Sequence, residues 1–199
     1  MAFKVKDHYF HKAKKENFLA RSIFKLEEID QKHKIIAPSD WILDLGYHPG
    51  SWIQYCSQKV GPKGFIIGVD IKSLQKNLEE TSGNVKLWQR DAFELEALSD
   101  LGLSHTVDVL ISDMAPNTTG NKTVDQLGSL SLVEKVFALL PIFLKPRGNF
   151  VIKIFESHDA QVFLKSNLKQ CFKEHHYFRP KSTRSTSKEF FVIGKNFQA

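Results

Sequence analysis

The chain has 199 residues, 42% of them apolar, enough for one well-filled core, and one domain over residues 1–199 is expected. Lysine and arginine exceed aspartate and glutamate by 28 to 22, and the net charge of +6 favours a polyanionic partner. Two widely separated cysteines, Cys56 and Cys171, exclude a disulfide framework and a zinc spacing, and no apolar run approaches the roughly 18 residues that suggest a membrane span. With no apolar leader in the first 17 residues, the expectation is a soluble cytoplasmic protein with no metal and no membrane partner.

Residues 1–17 read as a basic arm. From Phe18 to Ile29, apolar residues recur at three- and four-residue spacing, which predicts an amphipathic helix. Trp41 to Gly46 reads as a short strand ending in a glycine turn, and a helix is expected from Ser51. A second strand spans Gly64 to Asp70, a third Val85 to Trp88 and a fourth Val107 to Ile111, with a helix around Phe93 to Leu101. A long helix from Leu127 to Leu144 precedes a fifth strand, Asn149 to Phe155, and a helix from Ala160 to Leu168. Phe172 to Phe178 and Phe190 to Gly194 close the chain, joined by the basic stretch Arg179 to Lys188.

Strands alternating with helices over short connections predict an α/β fold with a mostly parallel sheet covered on both faces. The last two strands have no helix between them, so they are expected to pair as an antiparallel hairpin. Ligands of such sheets sit beyond the carboxyl ends of the parallel strands. There the sequence places Asp44-Leu45-Gly46-Tyr47-His48-Pro49-Gly50-Ser51-Trp52, a glycine turn leading into a helix N-terminus, where a backbone can approach a ligand closely. The spacing is not the GxGxxG of dinucleotide sites. Asp70 is placed to accept from a ribose diol and Asp91 from an adenine amino group; with the glycine turn they trace three successive strand ends, as an adenosine moiety requires.

Lys153 stands inside the apolar run Gly148 to Phe155. An ammonium in a buried strand needs a partner or a chemical task. Asp113, in Ser112-Asp113-Met114-Ala115-Pro116-Asn117, follows the fourth strand and is expected beside it. Because the final strand runs antiparallel, its start, Lys188-Glu189, lies on the ligand side, so Glu189 joins Asp113 and Lys153.

These residues resemble the FtsJ/RrmJ-like RNA ribose 2′-O-methyltransferases. The resemblance covers nearly the whole chain, from Arg21-Ser22-Ile23-Phe24-Lys25-Leu26 through Asp44-Leu45-Gly46, the Ser112 to Asn117 segment and Val151-Ile152-Lys153-Ile154-Phe155 to Ser187-Lys188-Glu189. It implies a Rossmann-like class I methyltransferase fold, a seven-stranded sheet of order 3-2-1-4-5-7-6 with strand 7 antiparallel, and S-adenosyl-L-methionine as cofactor. The family's Lys-Asp-Lys-Glu tetrad falls on Lys25, Asp113, Lys153 and Glu189; Lys25 comes from the resemblance, since spacing alone leaves it on the polar face of its helix. Cofactor contacts fall on Asp44, Gly46, Tyr47, His48, Pro49, Gly50, Trp52, Asp70, Asp91 and Asp113. Where the family reads Ala-Ala-Pro-Gly-Gly-Trp, this chain reads Tyr47-His48-Pro49-Gly50-Ser51-Trp52, which adds bulk at the turn.

The implied reaction transfers a sulfonium methyl to a ribose 2′-oxygen, with Lys153 activating the hydroxyl, Asp113 orienting Lys153, and Lys25 and Glu189 positioning the substrate. Phosphate contacts are expected from Lys4, Lys6, Lys12, Lys14 and Lys15 of the arm and from Arg21, Arg179, Lys181 and Arg184; Phe3, Tyr9, Phe10 and Phe18 interleave as candidate stacking groups, with core packing the preferred reading for Phe18. The expected substrate is a uridine of large-subunit (23S-type) ribosomal RNA, free or in the assembled subunit, modified by a monomer. The alternatives are transfer RNA, an mRNA cap, or a catalytically impaired ribosome-assembly factor of the same fold. A small-molecule methyltransferase fits the basic arm poorly.

Overall fold

The structure, a computed structural model, describes residues 8–73, 84–116 and 119–198. Phe3, Lys4, Lys6 and Asn117 lie outside the described residues. The order of elements is α1 (His8–Lys15), α2 (Ile23–His33), β1 (Trp41–Leu45), α3 (Ser51–Val60), β2 (Phe65–Asp70), β3 (Asn84–Gln89), β4 (Val107–Ser112), α4 (Lys122–Phe143), β5 (Leu144–Phe155), α5 (His158–Cys171), β6 (Phe172–Phe178) and β7 (Glu189–Phe197).

The described strands form one sheet of order β3-β2-β1-β4-β5-β7-β6. β1 to β5 pair in parallel, and β7 runs antiparallel to both β5 and β6. Parallel pairing follows from the crossovers, which return the chain to the same edge before each new strand. Between β6 and β7 there is only a loop, so the chain can only turn back.

Two apolar layers sandwich the sheet. On one face, Val133, Val136, Leu139, Leu140 and Phe143 of α4 and Leu164 and Leu168 of α5 pack over Leu43, Leu110, Phe150 and Ile152. The Phe150 and Phe172 rings stack there at 4.5 Å. On the other face, Leu26 and Ile29 of α2 and Ile53, Cys56 and Val60 of α3 cover Ile42, Ile66, Ile111, Val151 and Ile193. Each fully buried large aliphatic or phenyl side chain contributes roughly 1.5–3 kcal/mol. α4 carries a span, Thr123–Phe143, that is long and apolar enough to cross a membrane by length and composition, contrary to the sequence expectation. Its apolar stripe is used against the sheet.

Three boundaries move for local reasons. α2 starts at Ile23, not Phe18, because the Leu19 N–H is taken by Gln54 Oε1 at 2.9 Å and the 18–22 segment turns across α3. It runs on to His33, past Ile29, and stops where Lys34 adopts a left-handed conformation (φ 52°), Asp30 Oδ1 accepting the Ile35 and Ile36 N–H groups at 3.0 Å each. The helix expected around Phe93 to Leu101 is two short 3₁₀ turns, Ala92–Glu94 and Leu98–Leu101. There the Asp100 carboxylate captures the Glu96 and Ala97 N–H groups at 2.8 and 2.9 Å, and Asp91 takes that of Phe93 at 3.0 Å, so side chains replace the helical acceptors. The arm itself contains α1, which docks through Ala13, 3% exposed.

Candidate active site

The carboxyl ends of β1, β2, β3 and β4 open into one cleft of about 340 Å³. Gly46, Asp70, Asp91 and Asp113, each just past or at the end of its strand, line it together with His48 and Phe93. Asp70 is held rigidly: its Oδ2 accepts the His48 N–H at 2.9 Å and its Oδ1 the Lys72 N–H at 2.8 Å. A carboxylate has about four lone-pair sites, so acceptor capacity remains on each oxygen for a vicinal diol. At Gly46, with φ +84°, an added Cβ would stand 2.6 Å from Met114 Cγ, so the turn admits only glycine between β1 and the segment after β4.

Lys153 is 7% exposed in its side chain and is doubly held by the residue beside it. Its Nζ donates to the Asp113 carbonyl at 2.6 Å and stands 2.9 Å from Asp113 Oδ1. The parallel register makes this contact: Ser112 pairs with Ile152, so the next residue of each chain, Asp113 and Lys153, come level. On the other flank Phe155 pairs with Glu189 and Lys153 with Phe191, which puts Lys153 and Glu189 on one face of the sheet, one diagonal step apart. α2 covers that face, and its Lys25 forms an ion pair with Glu189, the side chains only 13% and 10% exposed. Lys25 Nζ also lies 5.8 Å from the Phe191 ring centroid, next to the strand position that faces Lys153. The four residues expected as a tetrad therefore meet as two ion pairs at the edge of the sheet where β4, β5 and β7 adjoin.

The glycine turn divides its residues between two tasks. Gly46 and His48 reach the cleft, whereas among its described lining residues Asp44, Tyr47, Pro49, Gly50 and Trp52 do not occur. Tyr47 is 3% exposed, lies in the gap left by Gly68, where a Cβ would meet its Cδ1 at 2.8 Å, and donates its hydroxyl to the Lys72 carbonyl at 3.0 Å. The bulk at position 47 is thus turned into the sheet. Trp52, 2% exposed, donates its indole N–H to the Ser22 carbonyl at 2.9 Å and ties α3 to the start of α2. Gly50, at φ 106°, bends the chain into α3. Asp44 is fully buried, neither carboxyl oxygen having a hydrogen-bond partner among the described residues, and burial, reinforced by the charges of Asp113 and Asp70, pushes its carboxyl well above the ordinary range. These residues shape the turn from behind.

The expected RNA-binding cations also separate. Lys14 and Arg21 line a second cleft beside the first. Lys12 Nζ lies 4.3 Å over the Phe24 ring, and Lys15 is exposed on α1. The Arg179 guanidinium bonds the Glu189 and Arg184 carbonyls at 3.3 Å and that of Ser187, so it organises the loop before β7. Lys181 and Arg184 are exposed on that loop. Glu28 anchors it, accepting the Lys181 and Ser182 N–H groups at 2.7 and 2.9 Å, and Arg21 donates to the Ser182 carbonyl. Glu28 and Gln54 were not singled out from the sequence: each reads as an ordinary polar helix residue, and only the chain crossing opposite it reveals the contact. Phe93 was equally missed as a cleft wall, although an aromatic two residues after Asp91 and 48% exposed is a signal in itself.

The sequence and fold match known proteins. Residues 18–197 match the FtsJ-like methyltransferase family. The chain is 46% identical over 191 residues to the ribosomal RNA large subunit methyltransferase E of Desulfatibacillum aliphaticivorans, covering 95% of this chain and 89% of that one. It is 43% identical to the protein of the same name from Bdellovibrio bacteriovorus, covering 98% of both. A crystal structure named as a ribosomal RNA methyltransferase from Plasmodium falciparum superimposes with a TM-score of 0.74 at 25% identity, over 90% of this chain and 98% of the other.

Proposed function

The chain belongs to the FtsJ-like methyltransferase family, and from that premise we propose that it is an S-adenosyl-L-methionine-dependent ribose 2′-O-methyltransferase of RNA whose acceptor is a uridine of large-subunit ribosomal RNA. It works as a single-domain cytoplasmic monomer. The observation that carries this reading is the convergence of Lys153–Asp113 and Lys25–Glu189 at one sheet edge, beside a cleft that three carboxylates line.

The cleft residues fit the cofactor. Asp70 with acceptor capacity to spare, Asp91 and the Gly46 turn suit a hydroxyl- and amine-bearing nucleoside, and the three carboxylates outnumber the lining cations Lys72 and Arg90, which suits a positively charged ligand. Bound there, S-adenosyl-L-methionine supplies an electrophilic methyl group. Lys153 would direct an N–H at the acceptor 2′-oxygen and stabilise the negative charge that builds there as the hydroxyl proton is released to water, the methyl group passing from the sulfonium to that oxygen and leaving a neutral thioether. Asp113, gripping Lys153 through both its carbonyl and its carboxylate, fixes the direction of that N–H. Lys25 and Glu189 form the opposite wall and position the acceptor ribose.

Incubation with methyl-labelled cofactor and either large ribosomal subunits lacking ribose methylation, deproteinised ribosomal RNA or bulk transfer RNA tests the reading. One ribose-methylated uridine in the large-subunit RNA is expected. Transfer confined to transfer RNA, or none to any RNA, refutes it.

A further inference from the structure

The second cleft, about 740 Å³, lies between α1, the 17–21 segment and the His48-Pro49 turn, and it adjoins the first through His48, which lines both. Its charge differs from its neighbour's. Asp70, Asp91 and Asp113 line the first cleft together with Lys72 and Arg90; among the described residues lining the second, the titratable side chains are Lys14, Arg21 and His48, with no acid. Rings accompany the cations: Phe10, 36% exposed, and the partly buried Phe18 line the cleft together with His48 and Pro49.

The cleft is preformed. Gln54 on α3 accepts the Leu19 N–H at 2.9 Å and donates to the Asn17 carbonyl at 3.3 Å, clamping both ends of the floor segment. Phe18 is braced edge-on by Phe24, centroids 6.2 Å apart. Arg21, four residues before Lys25 and just ahead of α2, lines this cleft, so the cleft lies on the side of the chain that leads into the acceptor site.

Surface lysines alone would suffice to hold phosphates; a concave, ring-lined, cation-rimmed hollow is built for a flat group carried on a polyanion. Resting on the RNA-methyltransferase reading, we propose that this cleft seats an unpaired nucleobase of the RNA adjoining the acceptor ribose, stacked among Phe10, Phe18 and His48, with its phosphates met by Lys14 and Arg21. A base locked in an A-form duplex cannot enter a concave cleft, so the enzyme selects RNA that is single-stranded or splayed open at the acceptor. His48 thereby acquires a role that a small residue at this turn cannot fill: it is the partition between cofactor and base.

Binding can be read without turnover, so the result is independent of whether the ribosomal RNA reading survives. The probes are a single-stranded oligouridylate and an abasic ribose-phosphate oligomer of equal length. Wild-type protein should prefer the oligouridylate by about tenfold. In Phe10→Ala the preference should fall toward unity while affinity for the abasic oligomer and for S-adenosylmethionine, measured by calorimetry, stays unchanged, Phe10 lining the second cleft and not the first. A retained preference, or an equal loss for both oligomers, overturns the proposal. As a measurement that needs no variant, 4-thiouridine oligomers crosslinked to wild-type protein should map to residues 10–21 and 48–49; crosslinks confined elsewhere also overturn it.

Discussion

Lys153→Met separates the catalytic role of this side chain from its structural one. Methionine keeps much of the aliphatic bulk, and Lys153 is only 7% exposed, so little apolar contact is lost. What disappears is the donor to the Asp113 carbonyl at 2.6 Å and the counter-charge 2.9 Å from its carboxylate. Breaking a fully buried pair costs roughly 3–5 kcal/mol. Asp113 is 19% exposed on the cleft side, so water re-solvates the carboxylate and the expected stability loss is smaller, about 1–3 kcal/mol. The chemical step loses an oriented donor at the reacting oxygen, which predicts a fall of about 10²–10⁴-fold in rate. Single-turnover transfer of labelled methyl to large-subunit RNA measures the rate, urea unfolding the stability, and calorimetry the cofactor affinity, which should stay close to wild type. A near-wild-type transfer rate in a folded variant would refute the role assigned to Lys153, and a collapse of cofactor binding would move that role to the cofactor cleft.

Gly68→Ala should destabilise by about 1–3 kcal/mol in thermal unfolding, because its Cβ would stand 2.5 Å from Leu87 Cδ2 and 2.8 Å from Tyr47 Cδ1; an unchanged midpoint would show that Tyr47 does not depend on that gap. Asp44 holds its proton in the folded state at pH values where the unfolded chain has lost it, so it makes stability decline as pH rises above the ordinary carboxyl value of 3.8. Asp44→Asn should flatten that decline above the ordinary carboxyl value, by up to about 1.4 kcal/mol per pH unit; a urea-unfolding profile parallel to wild type excludes Asp44 as its source. Glu28→Ala removes the acceptor for the Lys181 and Ser182 N–H groups and should speed amide exchange across 181–187 while lowering stability by about 1–2 kcal/mol; unchanged protection there would mean that Arg179 and Arg21 hold the loop without it.

Strand periodicity carried most of the architecture. The apolar runs at 41–45, 65–70, 107–112 and 149–155 are buried on both faces and read as parallel strands from their composition alone. The missing helix between β6 and β7 revealed the antiparallel pairing, and with it the placement of Glu189. Segments where side chains capture backbone donors were less legible: the Asp100 carboxylate turned an expected helix into 3₁₀ turns, and Gln54 delayed the start of α2 by five residues. Lys25 shows the same limit at the site. Its spacing marks a polar helix face, and only the packing of α2 over β7 makes it the partner of Glu189.

By itself, then, the sequence determined the sheet, the strand ends that bear acids, and the Asp113–Lys153 contact, because each follows from local pattern and from the register of neighbouring strands. Tertiary structure alone decided where Tyr47 puts its ring, which of the arm's cations reach a cleft, and that His48 lines two adjoining clefts, one bearing carboxylates and one without them among its described residues. The physical reason is the range of the interactions. Pairing within a sheet is fixed by residues adjacent in pattern, whereas a side chain at a turn can face the core or the solvent, and its direction is set by the space that residues distant in sequence leave open, as Gly68 does for Tyr47.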